Sequence, residues 1–149
     1  MCATASLAEM PYLVERIILT KEFNEEGIYR VKFCKNGEWV EVVLDDYFPC
    51  FPNGGPIFSR GHGNELWVLL LEKAYAKVHG GYRNIVGGLP HEAMMDLTGC
   101  PTTSFSFNDE NVQQMIKSGK LWSMMKHYDK EGYIMSAGTP GTDTFTENG

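Results

Sequence analysis

Four cysteines are the residues of this chain that could act as nucleophiles: Cys2, Cys34, Cys50 and Cys100. Nucleophilic attack needs the thiolate, which forms when a base, a cation or a helix N-terminus lies beside the sulfur. Cys2 lies in the first turn of a predicted helix, which would favour the thiolate. The others lie at a strand end, between two Phe-Pro pairs and after a glycine. We interpret all four as small, buried or half-buried side chains.

Four histidines could serve as the general base for such a nucleophile: His62, His79, His91 and His127. His62 and His91 lie beside glycine or proline, where we predict loops. His79 and His127 lie near the C-termini of predicted helices, where a positive imidazole is favoured by the helix dipole. A position at a helix end or on the surface accounts for each of them. The residues therefore give no complete catalytic set.

Metal and phosphate sites have no sequence signature here. The cysteines show neither CxxC nor Cys/His zinc spacing, so we expect reduced thiols in a cytoplasmic protein. Asp45 and Asp46 are adjacent on a predicted strand and would face opposite sides of it. No EF-hand loop is present. The Gly54-Gly55 pair lacks the Lys-Ser/Thr of a phosphate-binding loop.

The amino-acid composition and the net charge exclude several classes of protein. The chain has 149 residues and a net charge of -6, with 43% hydrophobic and 21% charged residues, which is typical of one globular domain. The acidic balance argues against a nucleic-acid partner, because phosphate contacts need clustered Lys and Arg. The longest apolar run, from Leu66 to Leu71, is too short for a transmembrane segment. We also expect no signal peptide, since Glu9 interrupts any apolar stretch at the start.

The elements that would position these residues begin with two short helices, at Ala3 to Glu9 and, after Pro11, at Tyr12 to Ile18. A β-hairpin over residues 28 to 45 follows. Its first strand alternates polar residues with Tyr29, Val31 and Phe33, and its second groups Val40, Val42 and Leu44. The Asn36-Gly37 turn between them is a strong hairpin signal, because both positions tolerate positive φ. Residues 45 to 62 then read as a proline-rich loop.

The longest predicted helix begins with Asn64 as its cap and Glu65 in its first turn. We predict a buried stripe of four residues along it: Trp67, Leu71, Ala74 and Val78. A glycine-rich turn covers residues 79 to 88, and a short helix from Glu92 to Thr98 ends at Gly99. The change in composition near residues 99 to 101 indicates a domain boundary.

The C-terminal third begins with a linker, Cys100 to Phe107. Asn108 or Asp109 would cap a helix that runs to Lys117, breaks near Gly119 and resumes from Lys120 to Tyr128. Tyr133 to Ala137 could form a strand, and residues 138 to 149 read as loop or chain end. Together these elements predict an α+β fold class.

Three blocks of the chain resemble the catalytic core of calpain-type cysteine proteases. The first, Asn36 to Asp46, reads Asn-Gly-Glu-Trp-Val-Glu-Val-Val-Leu-Asp-Asp and is followed by Phe48-Pro49. The second is Gly63 to Tyr82. The third is Gly87-Gly88 with Asp96-Leu97-Thr98-Gly99. Their order and spacing match the family from residue 1 to about 101, so the resemblance implies a papain-like cysteine proteinase fold that is incomplete in this chain.

The resemblance implies that no catalytic residue lies within these 149 residues. The family's nucleophile belongs to a Gly-Asp-Cys-Trp-Phe segment that opens a helix containing Ala-Ser-Leu, which matches Ala5-Ser6-Leu7. The nucleophile would then lie just upstream of Met1, and Cys2 would be its neighbour one turn later. The Gly-His-Ala-Tyr segment of the general base and the orienting asparagine would lie beyond Gly149. We expect the chain to be the interval between the two catalytic segments.

Two non-catalytic sites are carried over by the resemblance. Glu65 matches a glutamate that supplies a carboxylate to a structural calcium site, whose other ligands lie before the nucleophile. A carboxylate that interacts with the helix dipole explains Glu65 equally well. Gly88, with Gly87 beside it, matches the glycine whose backbone holds substrate in an extended form, although an ordinary turn would also explain the pair.

The family therefore implies a calcium-dependent cysteine endopeptidase that acts on polypeptides, inactive as this isolated chain. Residues 1-100 would be most of the helical first half of the core, and residues 101-149 the start of the β-rich second half. Additional calpain domains could lie outside the chain. The alternatives are a non-enzymatic homologue that binds peptides or a partner as a regulator, and a fragment with no independent role.

Overall fold

The computed structural model of the chain describes residues 2–59 and 66–138. Its elements, in chain order, are α1 (Cys2–Ala8), α2 (Pro11–Ile17), β1 (Ile28–Lys35), β2 (Glu38–Asp45), α3 (Trp67–Val78), a 3-10 helix (Tyr82–Ile85), α4 (Pro90–Thr98), α5 (Glu110–Lys117) and α6 (Lys120–Lys130). Helices and an antiparallel hairpin thus follow one another, which agrees with the predicted α+β class.

The hairpin forms in the predicted register, with Lys35 opposite Glu38 and Ile28 opposite Asp45. Asn36 and Gly37 have φ of 53° and 85°. Two successive positive φ values allow a two-residue turn whose twist matches that of the strands. The predicted inner face is correct for β1, whereas Val40 on β2 is 42% exposed. Val40 lies near the turn. The prediction that it shares a buried face with Val42 and Leu44 was therefore wrong for Val40, whereas Val42 and Leu44 are buried.

The core lies between the inner face of the hairpin and four helices. Phe33, Leu7, Ile17 and Val31 are its largest fully buried side chains. Helices α3 and α4 contribute the rest of the cluster through Leu70, Leu71, Ala74, Met94 and Leu97. Because α4 packs on β1 and α1 packs on α4, the hairpin holds both of these helices in place.

Helix α3 begins at Trp67, with Leu66 as its N-cap. The predicted cap Asn64 and the first-turn Glu65 lie outside the described residues. The buried residues of α3 are Leu70, Leu71, Ala74 and Ala76. The predicted stripe was therefore wrong for Trp67 and Val78, which are only partly buried. The helix contacts β2 and the 3-10 helix as well as β1, so it buries more than one stripe.

Helix α4 starts two residues earlier than predicted, because the fixed φ of Pro90 suits the first turn of a helix. His91, predicted to lie in a loop, is therefore the second residue of α4. Gly99 ends the helix in the left-handed conformation, with φ of 71°, as the sequence predicts.

The C-terminal part has the predicted helices but lacks the predicted strand. The Asp109 side chain accepts a hydrogen bond from the Asn111 backbone N–H, which caps α5. Gly119, with φ of 73°, separates α5 from α6. Residues 133–138 form no strand within the described part of the chain. A strand needs a ladder partner, and Ile134 packs against the helical and hairpin core instead.

No helix within residues 2–59 and 66–138 is long and apolar enough to cross a membrane.

Candidate functional site

A cavity of about 430 Å³ lies where α1, α3 and α4 meet, and we call it the α1–α4 cavity. Its floor is apolar and includes Phe33 of β1, Leu71 of α3 and Leu97 of α4. Ala3 and Thr4 of α1 form one side of it. The connection between α3 and α4 also lines it, through residues 84 to 89.

Gly87 and Gly88 lie on that connection and line the cavity. Both are exposed. Neither has φ in the left-handed region, and a Cβ built on either glycine meets no atom within 4 Å. Backbone strain therefore does not require glycine at these positions. Glycine leaves the backbone bare on its open side, where another chain could approach it closely.

Two large apolar side chains flank the glycines. Val86 is 80% exposed and Leu89 is 54% exposed. Single exposed apolar residues are ordinary on protein surfaces. Here Val86 and Leu89 lie on either side of a bare glycine backbone and beside an open cavity. Together they form a short surface suited to an extended peptide.

The polar wall of the cavity is formed mainly by Glu72, Tyr75 and His79 of α3 with Asn84 and Glu92. Burial of the Tyr75 hydroxyl raises its pKa, and the neighbouring Asp96 carboxylate raises it further. Within residues 2–59 and 66–138, no Lys or Arg lines the cavity. Since two carboxylates do, the site is more favourable to neutral or cationic groups than to anions.

The Asp96 carboxylate lies at the centre of a partly buried polar network beside the cavity. Lys35 Nζ lies 2.6 Å from Asp96 Oδ2, and Tyr75 donates its hydroxyl proton to the same oxygen at 3.1 Å. Lys35 Nζ also lies 3.3 Å from His79 Nε2. Sequence reasoning missed this network. One feature of the sequence could have indicated it: Asp96 is a carboxylate that lies beside Leu97 on the buried face of α4. A buried carboxylate needs a partner.

The loop before α3 is attached to the same helix. Ser59 donates both its backbone N–H and its hydroxyl to the Glu72 carboxylate. Phe58 stacks on Tyr82, with ring centroids 4.3 Å apart and an interplanar angle of 3°. Tyr82 begins the 3-10 helix that leads to Gly87, so this loop also supports the glycine connection.

The Lys73 ammonium group fixes the end of β2. It donates to the Asp45 backbone carbonyl at 3.0 Å and to the Tyr47 carbonyl at 2.6 Å, and it pairs with the Asp45 carboxylate. The side-chain hydrogen bond from Lys73 is the main cause that lowers the pKa of Asp45. Asp45 is therefore occupied by Lys73, while Asp46 lies against Gly27. The two carboxylates thus have different neighbours.

Among the side chains that the structure describes, no cysteine and histidine are assembled into a nucleophile and base. Cys34 is buried, whereas Cys50 and Cys100 are exposed. No hydrogen bond joins any of these three thiols to a described histidine; Cys100 Sγ contacts the Thr98 carbonyl at 3.8 Å. His79 is at the C-cap of α3 and His127 is in the last turn of α6, as predicted. His62 lies outside the described residues.

The calcium prediction rests on Glu65, which also lies outside the described residues. Among the residues that the structure describes, no group of three or more His, Cys, Asp or Glu side chains could hold a metal ion. Calcium prefers six to eight oxygen ligands. The described residues therefore do not form a calcium site by themselves.

Comparison of the sequence with known proteins identifies the family of this chain. The family described as calpain family cysteine protease matches residues 1–148. The chain is 48% identical over 143 residues to the calpain-type cysteine protease ADL1 of Oryza sativa subsp. japonica, and 47% identical over 143 residues to the calpain-type cysteine protease DEK1 of Zea mays. Each of these alignments covers 95% of this chain and 7% of the relative.

A more distant relative, Calpain-B of Drosophila melanogaster, is 37% identical over 148 residues, which cover 94% of this chain and 16% of the relative. The chain thus spans less than a fifth of the length of these curated relatives. Because the family match extends over nearly every residue, this chain belongs to the calpain family of cysteine proteases.

Proposed function

We propose that this chain is the peptide-binding part of a calcium-dependent cysteine endopeptidase of the calpain type, and that it does not cleave peptides by itself. Gly87 and Gly88 would hold the backbone of an extended polypeptide substrate. The same surface would serve the alternative, a non-enzymatic homologue that binds a peptide or partner as a regulator.

One observation carries the proposal: the bare backbone of Gly87 and Gly88 lies between exposed Val86 and Leu89 at the edge of the α1–α4 cavity. A glycine backbone can pair its N–H and C=O groups with those of an extended peptide. The adjacent cavity can accept one of that peptide's side chains. Family membership supports a polypeptide as the ligand.

Two features of the chain support the proposal that it does not cleave peptides by itself. Its 149 residues contain neither a Gly-Asp-Cys-Trp-Phe nor a Gly-His-Ala-Tyr segment, and no histidine within residues 66–138 is hydrogen-bonded to the free thiols of Cys34, Cys50 or Cys100. Proteolysis by a cysteine enzyme proceeds by acyl transfer through a thioester, with histidine as base and then acid. Other segments of a longer polypeptide would have to supply both groups.

Calcium enters the proposal through Glu65 alone. Its carboxylate would join oxygen ligands supplied by segments other than the described residues. We also place the protein in the cytoplasm, in keeping with the free thiols of Cys34, Cys50 and Cys100.

Peptide binding can be tested directly on the purified chain. An extended, fluorescently labelled peptide with apolar residues should bind the wild type, and Gly88→Val should weaken binding by about tenfold or more, because the new side chain blocks the backbone. Gly138→Val is the matched control, since a Cβ there also meets nothing within 4 Å. Equal affinities for the two variants would contradict the assignment of Gly88.

The absence of catalysis needs a separate test. A cysteine-directed peptide electrophile should not label the chain stoichiometrically, with or without calcium. Glu65→Gln should abolish any calcium binding measured by titration calorimetry. Stoichiometric labelling that depends on calcium would overturn the proposal that the chain is inactive.

A further inference from the structure

Lys35 joins three elements that surround the α1–α4 cavity. It is the last residue of β1, beside the hairpin turn, and its side chain is 28% exposed. Its ammonium group reaches Asp96 on α4 at 2.6 Å and His79 at the end of α3 at 3.3 Å. The Asp96 side chain is only 11% exposed, so this ion pair is far better shielded from water than an ordinary surface pair.

The hydrogen bonds of His79 define its tautomer. Nδ1 lies 2.9 Å from the Tyr75 backbone carbonyl, which can only accept a hydrogen bond, so Nδ1 carries a proton. The Lys35 ammonium group can only donate, so Nε2 must be the acceptor. This arrangement places a proton on Nδ1 and the acceptor lone pair on Nε2, so each ring nitrogen has a partner.

The two residues that Lys35 contacts stand on either side of the glycine connection. The chain leaves α3 at His79, passes through Gly87 and Gly88, and enters α4, which carries Asp96. The His79 carbonyl also accepts a hydrogen bond from Asn84 Nδ2 at 2.7 Å, which fixes the 3-10 helix on that connection. The Lys35 ammonium group thus contacts both His79, where the glycine connection starts, and α4, where it ends.

We propose that Lys35 is a positioning residue for the peptide-binding segment. By holding His79 and Asp96 together, it fixes the separation of α3 and α4 and hence the shape of the Gly87-Gly88 backbone and the adjacent cavity wall. The inference rests on the proposed function of this segment. Lys35 itself does not line the cavity, so it acts through His79 and Asp96.

The experiment compares Lys35→Met, Lys35→Arg and the control Lys32→Met in the full 149-residue chain. Lys32 lies on the same strand, and its ammonium group faces the Trp39 ring at 5.1 Å instead of α3 or α4. All three variants are measured by amide hydrogen exchange over residues 81 to 90 and by the 15N resonances of the His79 ring. Affinity for the labelled peptide is measured in parallel.

In Lys35→Met we expect exchange at the Gly81 and Asn84 amides to be roughly tenfold faster or more, the effect of losing a charge-assisted hydrogen bond. The His79 Nε2 resonance should shift because the ring loses its donor, and peptide affinity should fall by a similar factor. Lys32→Met should leave all three unchanged. Lys35→Arg, which keeps a donor, should restore most of the protection.

Exchange and His79 resonances in Lys35→Met that match the wild type would overturn the positioning role. If Lys35→Met fails to fold, Asp96→Asn provides the second test, because it keeps an acceptor oxygen and removes the charge; unchanged exchange in that variant would equally overturn the role. A wild type that binds no peptide would refute the proposed function alone, since exchange and resonances report on Lys35 without a ligand.

Discussion

At the scale of single residues, glycines in this chain serve different physical purposes. Gly99 has φ of +71°, and a Cβ there would lie 2.9 Å from Trp39 Cζ2. Gly119 has φ of +73° but open space around it. Gly88 has neither constraint. Comparing substitutions at the three positions therefore separates the cost of the backbone conformation from the cost of a steric contact, with Gly88 as the position that has neither.

We expect Gly99→Ala to lower the free energy of unfolding by about 2 kcal/mol, because the left-handed conformation costs an L-residue about 1–2 kcal/mol and the contact with Trp39 adds to it. Gly119→Ala should lose only the conformational share, and Gly88→Ala should change stability by less than about 0.5 kcal/mol. Urea denaturation followed by fluorescence measures all three. A Gly88→Ala variant as unstable as Gly99→Ala would contradict the local geometry described for Gly88.

The raised pKa of Tyr75 makes the stability of the folded chain decrease at alkaline pH. Burial and the Asp96 carboxylate raise its pKa in the folded protein above its ordinary value, which is about 10. The unfolded chain therefore loses this proton at lower pH than the folded protein does. This contribution to stability is fully present below about pH 10 and is lost as the pH rises toward the raised folded value.

We expect the free energy of unfolding to fall between about pH 10 and 11.5, and Tyr75→Phe to show a smaller fall over the same interval. Denaturant unfolding at several pH values measures both. Tyr133→Phe is the control, since Tyr133 is 62% exposed. If Tyr75→Phe and the wild type lose stability equally, Tyr75 is not the group responsible.

At the scale of elements, the outer edge of β2 is protected by lysines from α3. Lys77 Nζ donates to the Val43 carbonyl at 2.6 Å, and Lys73 donates to the Asp45 carbonyl. The outer edge of β1 is covered differently, because Leu19 N–H donates to the Arg30 carbonyl at 2.9 Å. An uncovered strand edge can pair with another chain, so these lysines disfavour edge-to-edge association.

Replacing both lysines, Lys73→Met with Lys77→Met, should make the chain associate more readily and should lower its stability by about 1–2 kcal/mol, because two strand carbonyls lose their donors. Light scattering at increasing protein concentration measures the association. The control pair, Lys126→Met with Lys130→Met, makes the same change of charge on α6. Equal association of the two double variants would show that net charge, and not the strand edge, is responsible.

At the scale of the whole molecule, the described residues form one substantial hydrophobic core and, apart from it, a pair of helices, α5 and α6, that bury few side chains. Residues of α1 to α4 and the hairpin form the core, while α5 packs mainly on α6 and the pair buries only Val112 and Leu121 fully. Phe107, Trp122 and Tyr133 are each more than 60% exposed. The division at residue 100 into two halves of a protease core stays a prediction.

Local unfolding should therefore begin in α5 and α6. We expect Leu121→Ala to increase hydrogen exchange in these two helices by about tenfold or more while leaving the hairpin amides unchanged. Val31→Ala, which opens the fully buried centre of β1, should accelerate exchange in the hairpin as well. Mass spectrometry of the exchanged protein resolves the segments. Uniform acceleration throughout the chain in Leu121→Ala would show that the helical pair and the core unfold as one unit.

The sequence by itself determined the features that depend on neighbouring residues. Local chemistry was sufficient to predict the Asn36-Gly37 turn, the alternation of β1, a cap at Asn108 or Asp109 and the end of α4 at Gly99, because all of them depend on interactions within a few residues. Motif spacing along the chain also indicated the family, which the comparisons confirmed.

Tertiary structure alone decided what depends on distant parts of the chain. Lys35 contacts His79 and Asp96, which lie 44 and 61 positions later in the sequence. The periodicity of the sequence around these three residues does not predict the contacts. The strand expected near Tyr133 did not form, since a strand requires a partner that its own residues cannot provide. The α1–α4 cavity exists only because three helices and the hairpin pack around it, and its lining brings Gly87 and Gly88 together with Ala3 and Thr4.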